Sequence, residues 1–124
     1  GRQPPGIWGP QRRGDLPQEL QSSGLYVLDL NKPTQGAFRS TGLDTTLRAK
    51  GIKTVVTVGV STNNCVAMTS MEACDLQYRV VVVSDGTGTD SDDMQTATLT
   101  MLKRLWARVL TTDEVLTELQ QGAQ

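Results

Sequence analysis

The amino-acid sequence predicts an α/β domain on a mainly parallel sheet. Three observations carry that prediction. Residues 53–59 (KTVVTVG) and 78–83 (YRVVVV) are short β-branched runs closed by glycine or polar turn residues, the composition of parallel strands buried on both faces. The stretches after them carry apolar residues at helical spacing. The resulting order is strand, helix, repeated four times, which argues for a parallel sheet with helical crossovers.

Each element has its own signal. Residues 1–23 read as an irregular segment, because Pro4-Pro5-Gly6, Gly9-Pro10 and Gly14 break any period, with one possible helical turn at 16–20. A domain is expected over 24–124. Residues 25–32 (LYVLDLNK) are short and apolar and stop at Pro33, so a strand ending at Lys32 is expected. Leu43 and Leu47 stand four apart ahead of Gly51, which predicts a short amphipathic helix with a glycine stop. After the strand at 53–59 comes Ser61-Thr62-Asn63-Asn64, a cluster of N-cap residues, so a helix should start there and run to about Leu76. The strand at 78–83 should end at Ser84-Asp85-Gly86. Met94, Ala97, Met101, Leu102 and Leu105 then repeat at helical spacing. Val109-Leu110 is a minimal strand, and Thr111-x-x-Glu114 is a capping box opening a last helix.

Composition narrows the function. The chain has 124 residues, enough for one domain, with 37% apolar and 20% charged residues and a net charge of −1. Nothing in that balance calls for a nucleic-acid or anionic-membrane partner. The apolar runs are far too short to span a bilayer. No secretory signal is read in the polar, Pro- and Gly-rich start. Cys65 and Cys74 lie nine residues apart, roughly 13 Å on one helix at about 1.5 Å per residue, beyond disulfide reach. A reduced, cytoplasmic protein is expected. With no histidine and no clustered cysteine, the usual zinc constellations are missing, and neither a metal nor a cofactor is expected.

In an open parallel sheet, ligands bind beyond the carboxyl ends of the strands. Three predicted strands end there in reactive residues: Lys32, the stretch from Ser61 to Cys65, and Asp85. Cys65 would occupy the first turn of a helix that follows a buried strand. The amide groups and dipole of a helix start favour the anionic form of a thiol, and the same N–H groups can hold an oxyanion. A buried structural cysteine is the equal alternative on position alone. Cys74, flanked by Ala73 and Leu76, reads as core. Lys32 is either an activating group or an ordinary surface lysine, and Asp85 either a ligand or a turn cap. Gly86-Thr87-Gly88-Thr89 lacks the lysine of a phosphate-binding loop.

Residues 51–89 (GIKTVVTVGVSTNNCVAMTSMEACDLQYRVVVVSDGTGT) resemble the core of isochorismatase-like cysteine hydrolases: strand, Gly-Val-x-Thr-x-x-Cys-Val, helix, Gly-Tyr, strand, Asp-Ala. Lys32 followed by Ala37-Phe38-Arg39-Ser40-Thr41-Gly42-Leu43 resembles the family's catalytic lysine and its Phe-x-Gly-Thr-x-Leu segment. The resemblance spans nearly all of residues 24–120. It implies a three-layer αβα, Rossmann-like fold and a small-molecule substrate cleaved at a C–N bond, an amide, ureide or carbamoyl group. It implies Cys65 as nucleophile, Lys32 as support for the charged intermediate, and an oxyanion hole from the backbone N–H groups of Ser61 and Cys65. A cis peptide at Val60–Ser61 and pocket-lining roles for Phe38 and Asn64 follow from the same likeness, as does a homo-oligomer. The departures are equally specific. The family's aspartate on the first strand has no counterpart upstream of Lys32, and the first strand, first helix and second strand are expected to be missing. Ser40 and Gln77 stand where the family has glycines. A relative that acts by binding or assembly is the alternative function.

Overall fold

The computed structural model describes residues 27–122. The chain divides into two compact units, Gly1–Pro33 and Thr34–Gln124. In the first, the described residues 27–33 have no regular secondary structure. This corrects the expectation of a strand ending at Lys32. Apolar sequence makes a chain extended, but a strand also needs a neighbour for its N–H and C=O groups, and among the described residues the ladders join only three other strands. The expected segment 1–23 with its helical turn, and the start of that strand, lie outside the described residues.

The second unit runs α1 (Leu43–Ala49), β1 (Thr54–Val60), a π-helical turn (Thr62–Val66) leading into α2 (Ala67–Asp75), β2 (Arg79–Gly88), α3 (Asp92–Leu105), β3 (Arg108–Leu110) and α4 (Thr112–Gly122). The sheet order is β1-β2-β3 and both pairings are parallel. Side chains alternate across it. Val55, Val80, Val82 and Val109 join Phe38, Val66, Ala67, Ala73, Tyr78 and Leu102 in the core under α1, α2 and α3. Helix α4 packs on β2. Leu102 and Val82 are fully buried at its centre.

Helix ends follow their local chemistry. Gly51, at φ +71°, closes α1 and donates its N–H to Arg48 O at 3.0 Å, a conformation that glycine adopts without steric cost. Ser91 Oγ caps α3 by accepting from Met94 N at 3.1 Å. The capping box of α4 is reciprocal: Thr111 N donates to Glu114 Oε1 at 2.9 Å, and Glu114 N to Thr111 Oγ1 at 3.2 Å.

Strand β2 is longer than the sequence suggests. It continues through Gly88, and after a register shift Gly59 pairs with Thr87 and Val60 with Gly88. Val58 of β1 thus faces the stretch 83–86 of β2. Gly59 absorbs the irregularity at φ +112°.

Candidate active site

The Cys65 turn begins where β1 ends. The Val60–Ser61 peptide is cis, as the family likeness implies. Ser61 itself is extended, at φ −96° and ψ 143°, and its carbonyl accepts from Asn64 N at 3.0 Å and Val66 N at 3.2 Å. The second bond spans five residues, so the helix opens with a π turn, a feature frequent at functional sites. Ser61, Asn64 and Cys65 therefore share one turn at the carboxyl end of β1. Asn64 is exposed, while Ser61 and Cys65 are half-buried.

Hydrogen bonds fix this turn from several sides. Thr89, just past the end of β2, donates its hydroxyl to Asn63 Oδ1 at 2.7 Å. Inside the domain, Ser70 donates to Val66 O at 2.7 Å and shares a 2.9 Å contact with Thr57 Oγ1 of β1. Since Ser70 has one hydroxyl proton, Thr57 is the donor of that second bond. The pair locks the helix that continues the Cys65 turn onto the strand that precedes it.

A loop over residues 34–42 reaches the sulfur. Cys65 Sγ donates to Gln35 Oε1 at 3.0 Å. The loop is anchored to α2, where Ala37 N donates to Thr69 Oγ1 at 3.1 Å and Arg39 N to Glu72 Oε2 at 2.8 Å. Gly36 runs so close to α2 that a Cβ there would overlap the Glu72 carboxylate and crowd Met68 Cγ, so a larger residue would have to displace those side chains. Sequence reasoning missed Gln35. The only signal was its place between Lys32 and the Phe38 segment, since an isolated glutamine carries no pattern.

The remaining candidates are placed as follows. Lys32 belongs to the first compact unit, in the irregular stretch 27–33. Phe38 is 4% exposed, its ring 5.5 Å from that of Tyr78 in the core. Asp85 lies within β2, and its carboxylate oxygen Oδ1 accepts from both N and Oγ1 of Thr112 at 2.8 Å. Those bonds hold the Asp85 carboxyl below the usual carboxylate range. It accepts at the start of α4 and does not cap a turn of its own, because the strand runs on past it. Cys74 packs against the core, and the two cysteines form no disulfide with one another. Among the described residues no group of His, Cys, Asp or Glu is arranged to hold a metal ion, and no helix is long and apolar enough to cross a membrane.

A parallel α/β sheet with a cysteine on the helical turn that follows one of its strands describes a class of fold and site. The isochorismatase-domain model matches residues 3–114, and the chain belongs to that family. It is 36% identical over 105 residues to the uncharacterized isochorismatase family protein YwoC of Bacillus subtilis, covering 85% of this chain and 54% of that protein. It is 32% identical over 127 residues to the ureidoacrylate amidohydrolase RutB of Rhizobium rhizogenes, covering 91% of this chain and 52% of RutB. Among solved structures, a cysteine hydrolase from Pseudomonas syringae pv. phaseolicola superposes with a TM-score of 0.68 at 29% identity, over 73% of this chain and 47% of that one. The chain spans about half the length of the curated relatives it matches.

Proposed function

We propose that the protein is a hydrolase of small C–N substrates, an amide, ureide or carbamoyl compound, that works through Cys65. The observation that carries this reading is the position of Cys65, half-buried on a fixed turn at the carboxyl end of β1. In the proposed reaction the Cys65 sulfur, having given up its proton, adds to the carbonyl carbon. The tetrahedral oxyanion is held by the backbone N–H groups of Ser61 and Cys65. Collapse breaks the C–N bond; the nitrogen leaves with the proton that the thiol released, and a thioester remains on Cys65. Water then adds to the thioester, expelling the sulfur and releasing the acid or carbamate. Lys32 supports the negative charge of the intermediates and Asn64 lines the substrate's approach. The relationship to an amidohydrolase and a cysteine hydrolase supports the reaction class.

The same reading extends to setting and assembly. Two cysteines not joined in a disulfide suit a reducing compartment such as the cytoplasm, and a homo-oligomer is proposed. The test of function is ammonia or amine release from a panel of small amides, ureides and carbamates, with Cys65→Ala alongside. Release that disappears in the variant, by at least about 10³-fold as for loss of a nucleophile, is the expected result. Release that survives Cys65→Ala overturns the mechanism. A folded protein that turns over none of the panel and shows no faster alkylation at Cys65 than at Cys74 favours a role in binding or assembly.

A further inference from the structure

We propose that Gln95 is a positioning residue for the oxyanion hole: from α3 it holds the end of β2 against the backbone that carries Ser61. The inference rests on the reading of Cys65 as nucleophile with the Ser61 N–H as an oxyanion donor. Ser84, Asp85 and Gly86 have no register partner on β1 or β3, so the backbone of this bulged stretch must find its hydrogen bonds elsewhere. Gln95 supplies donors to it. Its Nε2 donates to Thr87 Oγ1 at 3.2 Å, to Thr87 O at 3.4 Å and to Ser84 O at 3.5 Å. Two of those acceptors are carbonyls, which only the amino end of the amide can meet, so its orientation is set. Oε1 at the other end is buried, with no hydrogen-bond partner among the described residues. The bonds of Nε2 are therefore what fixes the group.

What Gln95 holds reaches both sides of Ser61. Beyond the bulge Thr87 pairs with Gly59 and Gly88 with Val60, the two residues before Ser61. Thr89 then donates its hydroxyl to Asn63 Oδ1 at 2.7 Å, two residues after it. Residues 87–89 thus grip the chain on either side of the proposed donor, and α3 sets their place through Gln95. An N–H stabilises an oxyanion only when it is already aimed at the position where the charge develops. A misplacement of about 1 Å is enough to weaken that stabilisation.

Two reagents separate positioning from folding. With p-nitrophenyl acetate the Cys65 sulfur adds to the acetyl carbon through a tetrahedral oxyanion, p-nitrophenolate leaves and S-acetyl-Cys65 remains. With iodoacetamide an S–CH2 bond forms as iodide leaves, and no oxyanion arises. Acetyl transfer in the full chain is read as the p-nitrophenolate release that Cys65→Ala abolishes. Alkylation of Cys65 and Cys74 is followed by peptide mass spectrometry. Gln95→Leu is expected to slow acetyl transfer about tenfold or more, part of the roughly 10²–10³ that loss of an oxyanion donor costs, and to leave Cys65 alkylation within about twofold. Gln95→Glu, which keeps the shape but lacks the N–H groups, should show the same split. Protection of Cys74 reports that each variant is folded. Acetyl transfer unchanged in a folded variant overturns the role of Gln95 while leaving Cys65 as nucleophile. Equal slowing of both reactions, or loss of Cys74 protection in both variants, makes Gln95 a residue of the fold alone and overturns the inference too. Release in the wild type that Cys65→Ala does not reduce overturns the nucleophile and the inference together.

Discussion

Tyr78 concentrates several interactions in one buried phenol. Its hydroxyl donates to Asp44 Oδ1 at 2.6 Å, and the Arg48 guanidinium lies 4.9 Å from its ring centroid. Arg48 in turn pairs with Asp44 at 3.0 Å and donates to Leu76 O, so α1 is tied to the turn before β2. Burial pushes the phenol above its ordinary value of 10.0; its hydrogen bond to Asp44 and that carboxylate's charge push the same way, against Arg48. The folded state therefore holds the Tyr78 proton more tightly than the unfolded chain does. Its contribution is fully present below about pH 10 and is lost as pH rises from there through the folded value. Tyr78→Phe is expected to cost about 0.5–1.5 kcal/mol at pH 8, the net worth of a hydrogen bond. That difference from wild type should shrink above pH 10 in urea melts. A difference that stays constant with pH would show that the phenol does not titrate with folding. Gln77, one residue earlier, sits at φ +74°. A left-handed non-glycine costs roughly 1–2 kcal/mol, and glycine's extra chain entropy about 0.5–1 kcal/mol. Gln77→Gly should therefore stabilise the domain by up to about 1 kcal/mol, read from the same melts; a loss of stability would mean that the Gln77 side chain matters more than its backbone.

At the scale of elements, the hydrogen bonds that join β1 to α2 decide where the Cys65 turn sits. Thr57 and Ser70 are both buried, and Ser70 is completely so. Ser70→Ala leaves the Thr57 hydroxyl without its acceptor, at a cost of about 1–3 kcal/mol. The double change Thr57→Val with Ser70→Ala removes both polar groups and should recover much of that loss in thermal melts. Equal destabilisation by the single and double variants would mean that packing alone, not the unsatisfied hydroxyl, sets the cost. Much of this level could be read from residue order. The β-branched runs, the glycine after α1, the N-cap cluster before Cys65 and the Thr111–Glu114 capping box are local signals, and each element appears where its signal stands. The failures come from tertiary partners. Residues 27–32 have strand composition but no ladder among the described residues, because pairing is a property of two segments. Asp85 was expected to end its strand, yet β2 runs on to Gly88 because Gly59 and Val60 supply partners beyond the bulge. Phe38 packs its ring on that of Tyr78, forty positions away, a contact that no local pattern announces. Gln35 had no signal beyond its place between Lys32 and the Phe38 segment, since its contact to Cys65 bridges thirty residues of sequence.

Among the described residues, strand β1 carries both the candidate Cys65 turn at its carboxyl end and a row of exposed valines along its length. Strand β1 (TVVTVGV) has seven residues with no charge and no proline, and among the described residues it lies at the edge of the sheet. Its alternate side chains Val56, Val58 and Val60 are 44%, 61% and 74% exposed. Edge strands are commonly guarded by lysine, proline or a covering element, and β1 has neither residue. Its backbone edge and its valines together favour pairing with a further strand, and a second copy of the chain offers the same surface under two-fold symmetry. Association that rises with concentration is therefore expected in light scattering over the micromolar range. Val58→Lys is the informative change. At an exposed position a single substitution is expected to alter stability by no more than about 0.5 kcal/mol, while an ammonium on this face opposes edge-to-edge pairing. Weaker self-association with an unchanged melting curve would place the contact on β1. Self-association that Val58→Lys leaves untouched would move the interface elsewhere and separate oligomerisation from the strand that carries the Cys65 turn.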